Sequence, residues 1–233
     1  MNNVVVPIKR SPETHFDGIV SNEQLACELA LTNIGDFEPL SIKIDCQQFM
    51  EEISMFDEQW VDYLPRTDRP NNRKGLVLTN LPGKTHRDNP SLAQASIEAG
   101  RVLSEIEFNQ PTAVYKACDS LRPILDMFDP VGRTFLVKCN TGGYFVPHRD
   151  HPNLPRDVFR VAVFLNNCAP MDYDWLMGAD TKLQIETGRA YYVNTRKTHR
   201  TMSWVNDSIH LIMNIPLTVK NVNSIINNLR HRH

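Results

Sequence analysis

The spacing of apolar residues changes along the chain, from helical steps before about residue 130 to strand-like alternation after it. Residues 47–64 carry apolar side chains at steps of three and four, which predicts an amphipathic helix. Further helices are predicted over residues 90–99 and 112–128. Pro123 lies inside the last of these and marks either a kink or the start of a new helix.

The second part of the chain is typical of short strands separated by turns. Strands are predicted over residues 134–139, 144–148, 157–166, 182–186, 189–193, 199–204 and 209–215, with an earlier one over 75–79. Many short strands with turn signals about every ten residues indicate a sandwich or barrel. An antiparallel jelly roll of two facing sheets can hold a metal in its open mouth. The predicted fold class is therefore α+β, with a double-stranded β-helix (jelly-roll, cupin-like) core and supporting N-terminal helices.

The length of 233 residues is compatible with one large domain. We expect a single domain over residues 1–233. Within it, residues 1–130 would form a mixed, helix-rich support region, residues 131–218 the jelly-roll core, and residues 219–233 a C-terminal tail.

Charge and cysteine content exclude several classes of protein. Lysine and arginine number 25 against 27 acidic residues, so no basic excess indicates nucleic-acid binding. No apolar run approaches a membrane span, and the first residues lack the blocks of a signal peptide. The five cysteines form no C-x-x-C pair, which favours reduced thiols over a disulfide framework. We therefore expect a cytoplasmic protein with no membrane and no nucleic-acid partner.

His148, Asp150 and the distant His199 are the strongest chemical signal in the chain. Two imidazoles and one carboxylate can bind one face of a metal and leave the other open, as in non-haem Fe(II) oxygenases. On a strand, residues i and i+2 point to the same side, so His148 and Asp150 can share a target while Arg149 points away. The second histidine must then come from another strand.

The residues around this triad carry a resemblance to a known family. The blocks are Leu121-Arg122-Pro123-Ile124-Leu125, residues 133–138, residues 142–150, residues 159–167, residues 188–194, and His199 ahead of Asn206 and residues 209–215. In order and spacing they resemble the aspartyl/asparaginyl β-hydroxylase and free-proline hydroxylase group of 2-oxoglutarate-dependent oxygenases. The resemblance covers roughly residues 120–216, and it makes His148, Asp150 and His199 the Fe(II) ligands.

The same resemblance suggests where 2-oxoglutarate is held. Arg160 matches an arginine of the group, and a planar guanidinium can hold a carboxylate with two hydrogen bonds. The group usually has another arginine about ten residues after the distal histidine, where this chain has Ser208, Ile209 and His210. A protonated His210 with Ser208 could replace it, or the anchor could be Arg160, Arg133 or Lys138.

Two asparagines match polar positions near the site in the group, Asn166 and Asn194, although a strand-end or turn role is open for both. The resemblance implies a dioxygenase that uses Fe(II), 2-oxoglutarate and O₂, with ascorbate as a candidate reductant. It would hydroxylate a C–H bond of an amino acid or a peptidyl residue of Asp, Asn or Pro type, and release succinate and CO₂. Two alternatives stay open, namely a cupin-like metalloenzyme that does not use 2-oxoglutarate and a non-catalytic jelly-roll binding module.

Overall fold

The computed structural model describes residues 21–63, 72–150, 157–178 and 181–230. Within these ranges the α-helices are α1 (Asn22–Ile34), α2 (Cys46–Ile53), α3 (Leu92–Ala99), α4 (Ala113–Ala117), α5 (Arg122–Leu125) and α6 (Val219–Asn227). Short 3₁₀ helices cover Ser54–Gln59, Glu105–Glu107 and Asp119–Leu121. The strands are β1 (Phe37–Lys43), β2 (Val61–Asp62), β3 (Arg73–Val77), β4 (Thr79–Asn80), β5 (Gln110–Pro111), β6 (Thr134–Cys139), β7 (Tyr144–His148), β8 (Val158–Asn166), β9 (Tyr173–Met177), β10 (Thr181–Lys182), β11 (Arg189–Val193), β12 (His199–Ser203) and β13 (Ser208–Pro216).

Strands β6 to β13 form a double-stranded β-helix, and the predicted fold class is confirmed. A seven-stranded sheet has the order β1-β11-β8-β13-β6-β3-β2, and a four-stranded sheet has the order β10-β9-β12-β7. The chain passes repeatedly from one sheet to the other, and the strand pairs described within each sheet are antiparallel. Strands β1, β2 and β3 extend the large sheet beyond the jelly roll, so the support region is not helical alone.

The large sheet is buried on both faces, which explains why β8 and β13 are almost continuously apolar. On one face Val161 and Leu211 pack in a core shared with Phe49 of α2 and Ile225 of α6. On the other face Phe164 packs with side chains of the small sheet in a second core. The site lies between the two sheets, so the second face is the one that positions it.

The C-terminal residues predicted as a tail include the helix α6. Thr218 caps the helix by accepting a hydrogen bond from the Asn221 backbone N–H. The segment after the helix then covers the outer edge of β1. There the Ser41 N–H donates to the Asn228 carbonyl at 2.7 Å, and the Arg230 N–H donates to the Pro39 carbonyl at 2.9 Å.

Two predicted helices are shorter than expected. The helix predicted over residues 47–64 is α2 followed by the 3₁₀ helix Ser54–Gln59, and its predicted end at residue 64 lies outside the described residues. Beyond it, β2 pairs with β3, and this tertiary pairing overrides the helical pattern. The helix predicted over residues 112–128 is broken into α4 and α5. Pro123 lies in the first turn of α5 and therefore marks a new helix start.

None of the helices in the described ranges combines the length and apolar character that a bilayer crossing needs.

Candidate metal centre

Two neighbouring strands of the small sheet bring the histidines of the triad together. Strands β7 and β12 pair so that His199 lies opposite His148, and their ring centroids are 4.3 Å apart. Asp150 follows β7 by two residues, and its backbone N–H donates to the Thr195 carbonyl at 2.9 Å. This bond fixes the turn that carries Asp150, so the carboxylate is held beside both rings.

The three side chains converge as the spacing predicted. Oδ1 of Asp150 lies 3.5 Å from Nε2 of His148, and Oδ2 lies 3.6 Å from Nε2 of His199. One ligand atom from each residue lies within 4.8 Å of the others. Arg149 is directed elsewhere, because its Nε donates to Oγ1 of Thr198 at 3.1 Å. The group has the donor types and the convergence that a 2-His-1-carboxylate centre requires.

Backbone carbonyls set the tautomer of both histidines. Nδ1 of His148 is 2.7 Å from the Val146 carbonyl, and Nδ1 of His199 is 3.0 Å from the Lys197 carbonyl. A carbonyl can only accept, so each Nδ1 carries the proton in the neutral ring. The lone pair is then on Nε2, which is the atom that faces Asp150. A hydrogen bond from the second ring nitrogen is the usual support of a metal-bound histidine, and the donor set therefore fits a divalent ion.

His199 is the buried member of the triad, with 3% of its surface exposed. Burial lowers its pKa to about 4, although the charge of Asp150 acts in the opposite direction. The ring is therefore neutral near pH 7, which is the state that binds a metal. Trp175 of β9 stacks on it with ring centroids 5.8 Å apart and shields this side of the centre from water.

Arg160, which was predicted to anchor 2-oxoglutarate, lines the cavity and contacts the triad directly. Nη1 donates to Oδ2 of Asp150. The same guanidinium donates from Nη2 to Oδ1 of Asn214 at 2.8 Å, and Asn214 in turn donates to the Arg133 carbonyl at 2.7 Å. Arg160 is therefore held by Asn214 on the neighbouring strand of the large sheet, and it orients a candidate metal ligand.

A cavity of about 310 Å³ opens beside the triad between the two sheets. Its lining is mixed, with the apolar side chains of Phe135, Phe145, Trp175 and Ile212 beside basic and other polar ones. The side chain of His148 is 34% exposed, so the triad stands near the mouth of the cavity.

Of the other predicted site residues, one lines this cavity and three do not. His210 lines it, but complete burial lowers the pKa of His210 to about 3, so the protonated form considered above is absent near pH 7. Ser208 and Asn166 are not among the lining residues. Ser208 bonds to Ser203 and the Asn167 carbonyl, and Asn166 donates to the Asp207 carbonyl at 2.8 Å. Asn194 donates to Asp36 at 2.9 Å.

The remaining candidate anchors are engaged elsewhere. Arg133 lines the cavity, but its guanidinium forms a buried ion pair with Glu105. Lys138 lies on the opposite face of β6, where its ammonium is 4.4 Å from the centre of the Trp60 ring.

Arg73 also lines the cavity, although the sequence alone did not distinguish it from Arg66, Arg69 and Arg149 as a basic residue that could hold the carboxylate of a substrate. Arg73 opens β3, and Gly75 and Val77 occupy the same face of that strand. Strand alternation places Arg73 on the inward-facing side of β3, so its position could have been recognised from the sequence. The neighbour of β3 in the sheet is set by tertiary pairing, which no local pattern shows.

No protein-family model and no curated protein matches this chain. Solved structures with a similar course of the chain include a prolyl-4-hydroxylase from Pseudomonas putida, with 10% identity over 82% of this chain and 98% of that one and a TM-score of 0.43. A prolyl hydroxylase from Trichoplax adhaerens, solved with a hypoxia inducible factor peptide fragment, has 9% identity over 83% and 90% and a TM-score of 0.45. A viral collagen prolyl hydroxylase from Paramecium bursaria Chlorella virus-1, solved with 2OG, has 12% identity over 79% and 97% and a TM-score of 0.43. By its own strands and side chains, the protein is a jelly roll with a candidate 2-His-1-carboxylate metal centre.

Proposed function

We propose that the protein is an Fe(II)- and 2-oxoglutarate-dependent dioxygenase that hydroxylates a C–H bond. The observation that carries this proposal is the convergence of Nε2 of His148, Nε2 of His199 and the Asp150 carboxylate at the mouth of a jelly-roll cavity. Three protein ligands on one face leave positions for a bidentate 2-oxo acid and for O₂. When bound, Fe(II) together with 2-oxoglutarate and O₂ supplies the oxidising power for hydroxylation, with succinate and CO₂ as the other products.

The residues of the chain would bind the metal, orient its ligands and limit the access of water. The Val146 and Lys197 carbonyls keep both imidazoles in the tautomer that presents Nε2 to a metal. Arg160 holds the Asp150 carboxylate between the two rings. Trp175 and Phe145 line the cavity next to the triad and would limit the access of bulk water to a bound metal.

The finer assignment rests on the sequence resemblance. The aspartyl/asparaginyl β-hydroxylase and free-proline hydroxylase group predicts an amino acid as substrate, either free or as an Asp, Asn or Pro residue within a peptide. The exposed third of the His148 side chain, at the cavity mouth, is where such a substrate would approach. Ascorbate stays a candidate reductant on the same ground, and the cytoplasmic location stays a prediction.

The test is formation of succinate. Protein loaded anaerobically with Fe(II) is exposed to O₂ with 2-oxoglutarate and ascorbate, in the presence of a pool of the twenty amino acids or a proteolytic digest of a cell extract. We expect succinate and a substrate mass increased by one oxygen atom. His199→Ala and Asp150→Ala should abolish both, whereas Arg149→Met, whose side chain turns away from the triad, should retain them.

Two other results would contradict the proposal. A protein that binds Fe(II) stoichiometrically through His148, Asp150 and His199 but forms no succinate with either pool would favour the cupin-like metalloenzyme. A protein that binds an acidic small molecule without any metal and without turnover would favour the jelly-roll binding module.

A further inference from the structure

Strand β7 contains a β-bulge directly before His148. Between two paired positions, β7 has two residues, Val146 and Pro147, where β12 has only Arg200. Such a two-against-one arrangement defines a bulge. It explains why Phe145 and His148 both line the cavity although they are three positions apart, because residues three apart in a regular strand lie on opposite faces. The bulge thus brings His148 to the same side as Phe145.

The bulge also places the Val146 carbonyl beside the ring of His148, 2.7 Å from Nδ1. In a regular antiparallel strand the carbonyls point to the neighbouring strands in the plane of the sheet, whereas the side chains stand roughly perpendicular to it. A carbonyl in the ladder is therefore poorly placed to accept from a ring of its own strand. At a bulge the ladder is interrupted, which allows the carbonyl to turn toward the ring.

The second histidine of the triad obtains its carbonyl in a comparable way. Nδ1 of His199 is 3.0 Å from the carbonyl of Lys197, which is also two positions earlier in the chain. Lys197 precedes β12, so this carbonyl comes from the turn before the strand. For both candidate ligands the hydrogen bond depends on a departure from regular strand geometry. In β12 the departure is the start of the strand, whereas in β7 it occurs inside the strand and needs a local cause.

Pro147 has the properties that such a position requires. Proline has no backbone N–H, so as the extra residue of a bulge it leaves no donor without a partner. It also confines the residue before it to extended backbone. The ψ angle of Val146 sets the direction of the Val146 carbonyl, and Pro147 therefore restricts where that carbonyl points. Pro147 is exposed, so its ring does not fill space in the core.

We infer that Pro147 is a positioning residue for the candidate metal ligand His148. By fixing the backbone at the bulge, Pro147 holds the Val146 carbonyl on Nδ1. The lone pair of the neutral ring is then on Nε2, on the side of the Asp150 carboxylate. The inference rests on the proposed function through its metal centre, and it concerns a residue that does not itself line the cavity.

The first test is made on the metal-free, full-length protein with Pro147→Ala, because alanine restores an N–H and relaxes the restriction on Val146. Nitrogen NMR of the imidazoles at pH 8 distinguishes a ring with its proton on Nδ1 from one with its proton on Nε2. In wild type we expect both His148 and His199 to carry the proton on Nδ1. In Pro147→Ala, His148 should show a mixture of the two tautomers, while His199 should be unchanged and is the internal reference.

The second test is the affinity for Zn(II), measured by competition with a chromophoric chelator. Loss of the outer hydrogen bond of a metal ligand typically costs 10- to 100-fold in affinity, and Pro147→Ala should lose roughly 10-fold. Pro147→Gly frees the backbone further and should lose more. The matched control is Pro111→Ala, because Pro111 is likewise an exposed proline on a strand, β5, and this variant should keep the wild-type affinity. Circular dichroism establishes that each variant is folded.

The outcomes separate the inference from the proposed function. A folded Pro147→Ala protein in which His148 keeps the wild-type tautomer overturns the inference, whatever its zinc affinity, and leaves the proposed function standing. A mixture of tautomers with wild-type zinc affinity overturns it as well, because the carbonyl would then not influence the metal. A zinc affinity that is the same in wild type and His148→Ala overturns the metal centre, and with it both the proposed function and the inference.

Discussion

Nη1 of Arg160 donates to Oδ2 of Asp150, the carboxylate oxygen that also lies 3.6 Å from Nε2 of His199. The arginine is anchored in turn by Asn214. A candidate metal ligand is therefore oriented by a cation that belongs to the opposite sheet. We therefore expect the affinity of this candidate centre for a metal to depend on a residue that is not itself a ligand.

Arg160→Met should weaken metal binding. Loss of the hydrogen bond lets the Asp150 carboxylate rotate away from the two imidazoles, and loss of such outer partners typically costs 10- to 100-fold in metal affinity. Competition between the protein and a chromophoric chelator for Zn(II) measures the change. Arg149→Met removes a neighbouring arginine that bonds to Thr198 and should leave the affinity as it is. An unchanged or higher zinc affinity in Arg160→Met would show that Arg160 does not position the carboxylate.

Breaking the buried pair of Arg133 and Glu105 should be strongly destabilising. The side chains are 6% and 4% exposed, so Arg133→Met removes the ion-pair partner of a carboxylate in the interior. We expect a loss of about 3–5 kcal/mol in the free energy of unfolding, measured with urea. The double variant Arg133→Met with Glu105→Leu should recover most of it. Breaking the exposed pair of Arg101 and Glu107 is the control, with an expected cost of at most about 1 kcal/mol.

The stability of the protein should fall in acid partly because of His210. Its pKa is lowered by burial from 6.5 to about 3, so between these values the unfolded chain holds a proton that the folded chain lacks. Acid therefore favours unfolding, by about 1.4 kcal/mol per pH unit for this one group, and the contribution is absent above pH 6.5. Urea unfolding at pH 7 and pH 5 should show that wild type loses about 2 kcal/mol more than His210→Asn. Equal losses in the two proteins would mean that His210 titrates normally.

Trp175 should report metal binding by its fluorescence. It stacks on His199 at 5.8 Å, so a paramagnetic ion such as Co(II) held by the triad would lie close to the indole and quench its emission. Trp175→Phe should lose most of the quenching. Trp204→Phe is the control, because Trp204 is half exposed and donates to Asp174. Quenching that survives in Trp175→Phe and disappears in Trp204→Phe would place the ion elsewhere.

Most of the jelly roll could be predicted from alternation, because its strands are long or bounded by clear turns. Strand β9, Tyr173–Met177, was not predicted. It is a strand because it pairs with β12. Its five residues are too few for the pattern of polar and apolar side chains to distinguish a strand from a loop. The helix over residues 47–64 was predicted too long for a related reason, since pairing of β2 with β3 decides where it ends.

The convergence of the three candidate ligands was predictable, but the residues around them were not. The positions of His148, Asp150 and His199 follow from strand periodicity and the turn after β7. The partner of Arg160 could not be predicted, because which carboxylate an arginine meets depends on how two sheets face each other. The neutral state of His210 follows from complete burial, which the sequence does not show. Arg73 needed knowledge that β3 is the neighbour of β6.

The segment that follows α6 also has a consequence for solubility. It occupies backbone donors and acceptors along the outer edge of β1, including the Ser41 N–H and the Pro39 carbonyl. A chain cut after Asn227 would keep α6, whose Ile225 packs in the core, and would present these groups to solvent as an open edge. Strands of other molecules can pair with an exposed strand edge. We expect such a shortened protein to form concentration-dependent aggregates in light scattering while retaining the triad. The last residues of the described chain thus cover a strand edge that would otherwise be open.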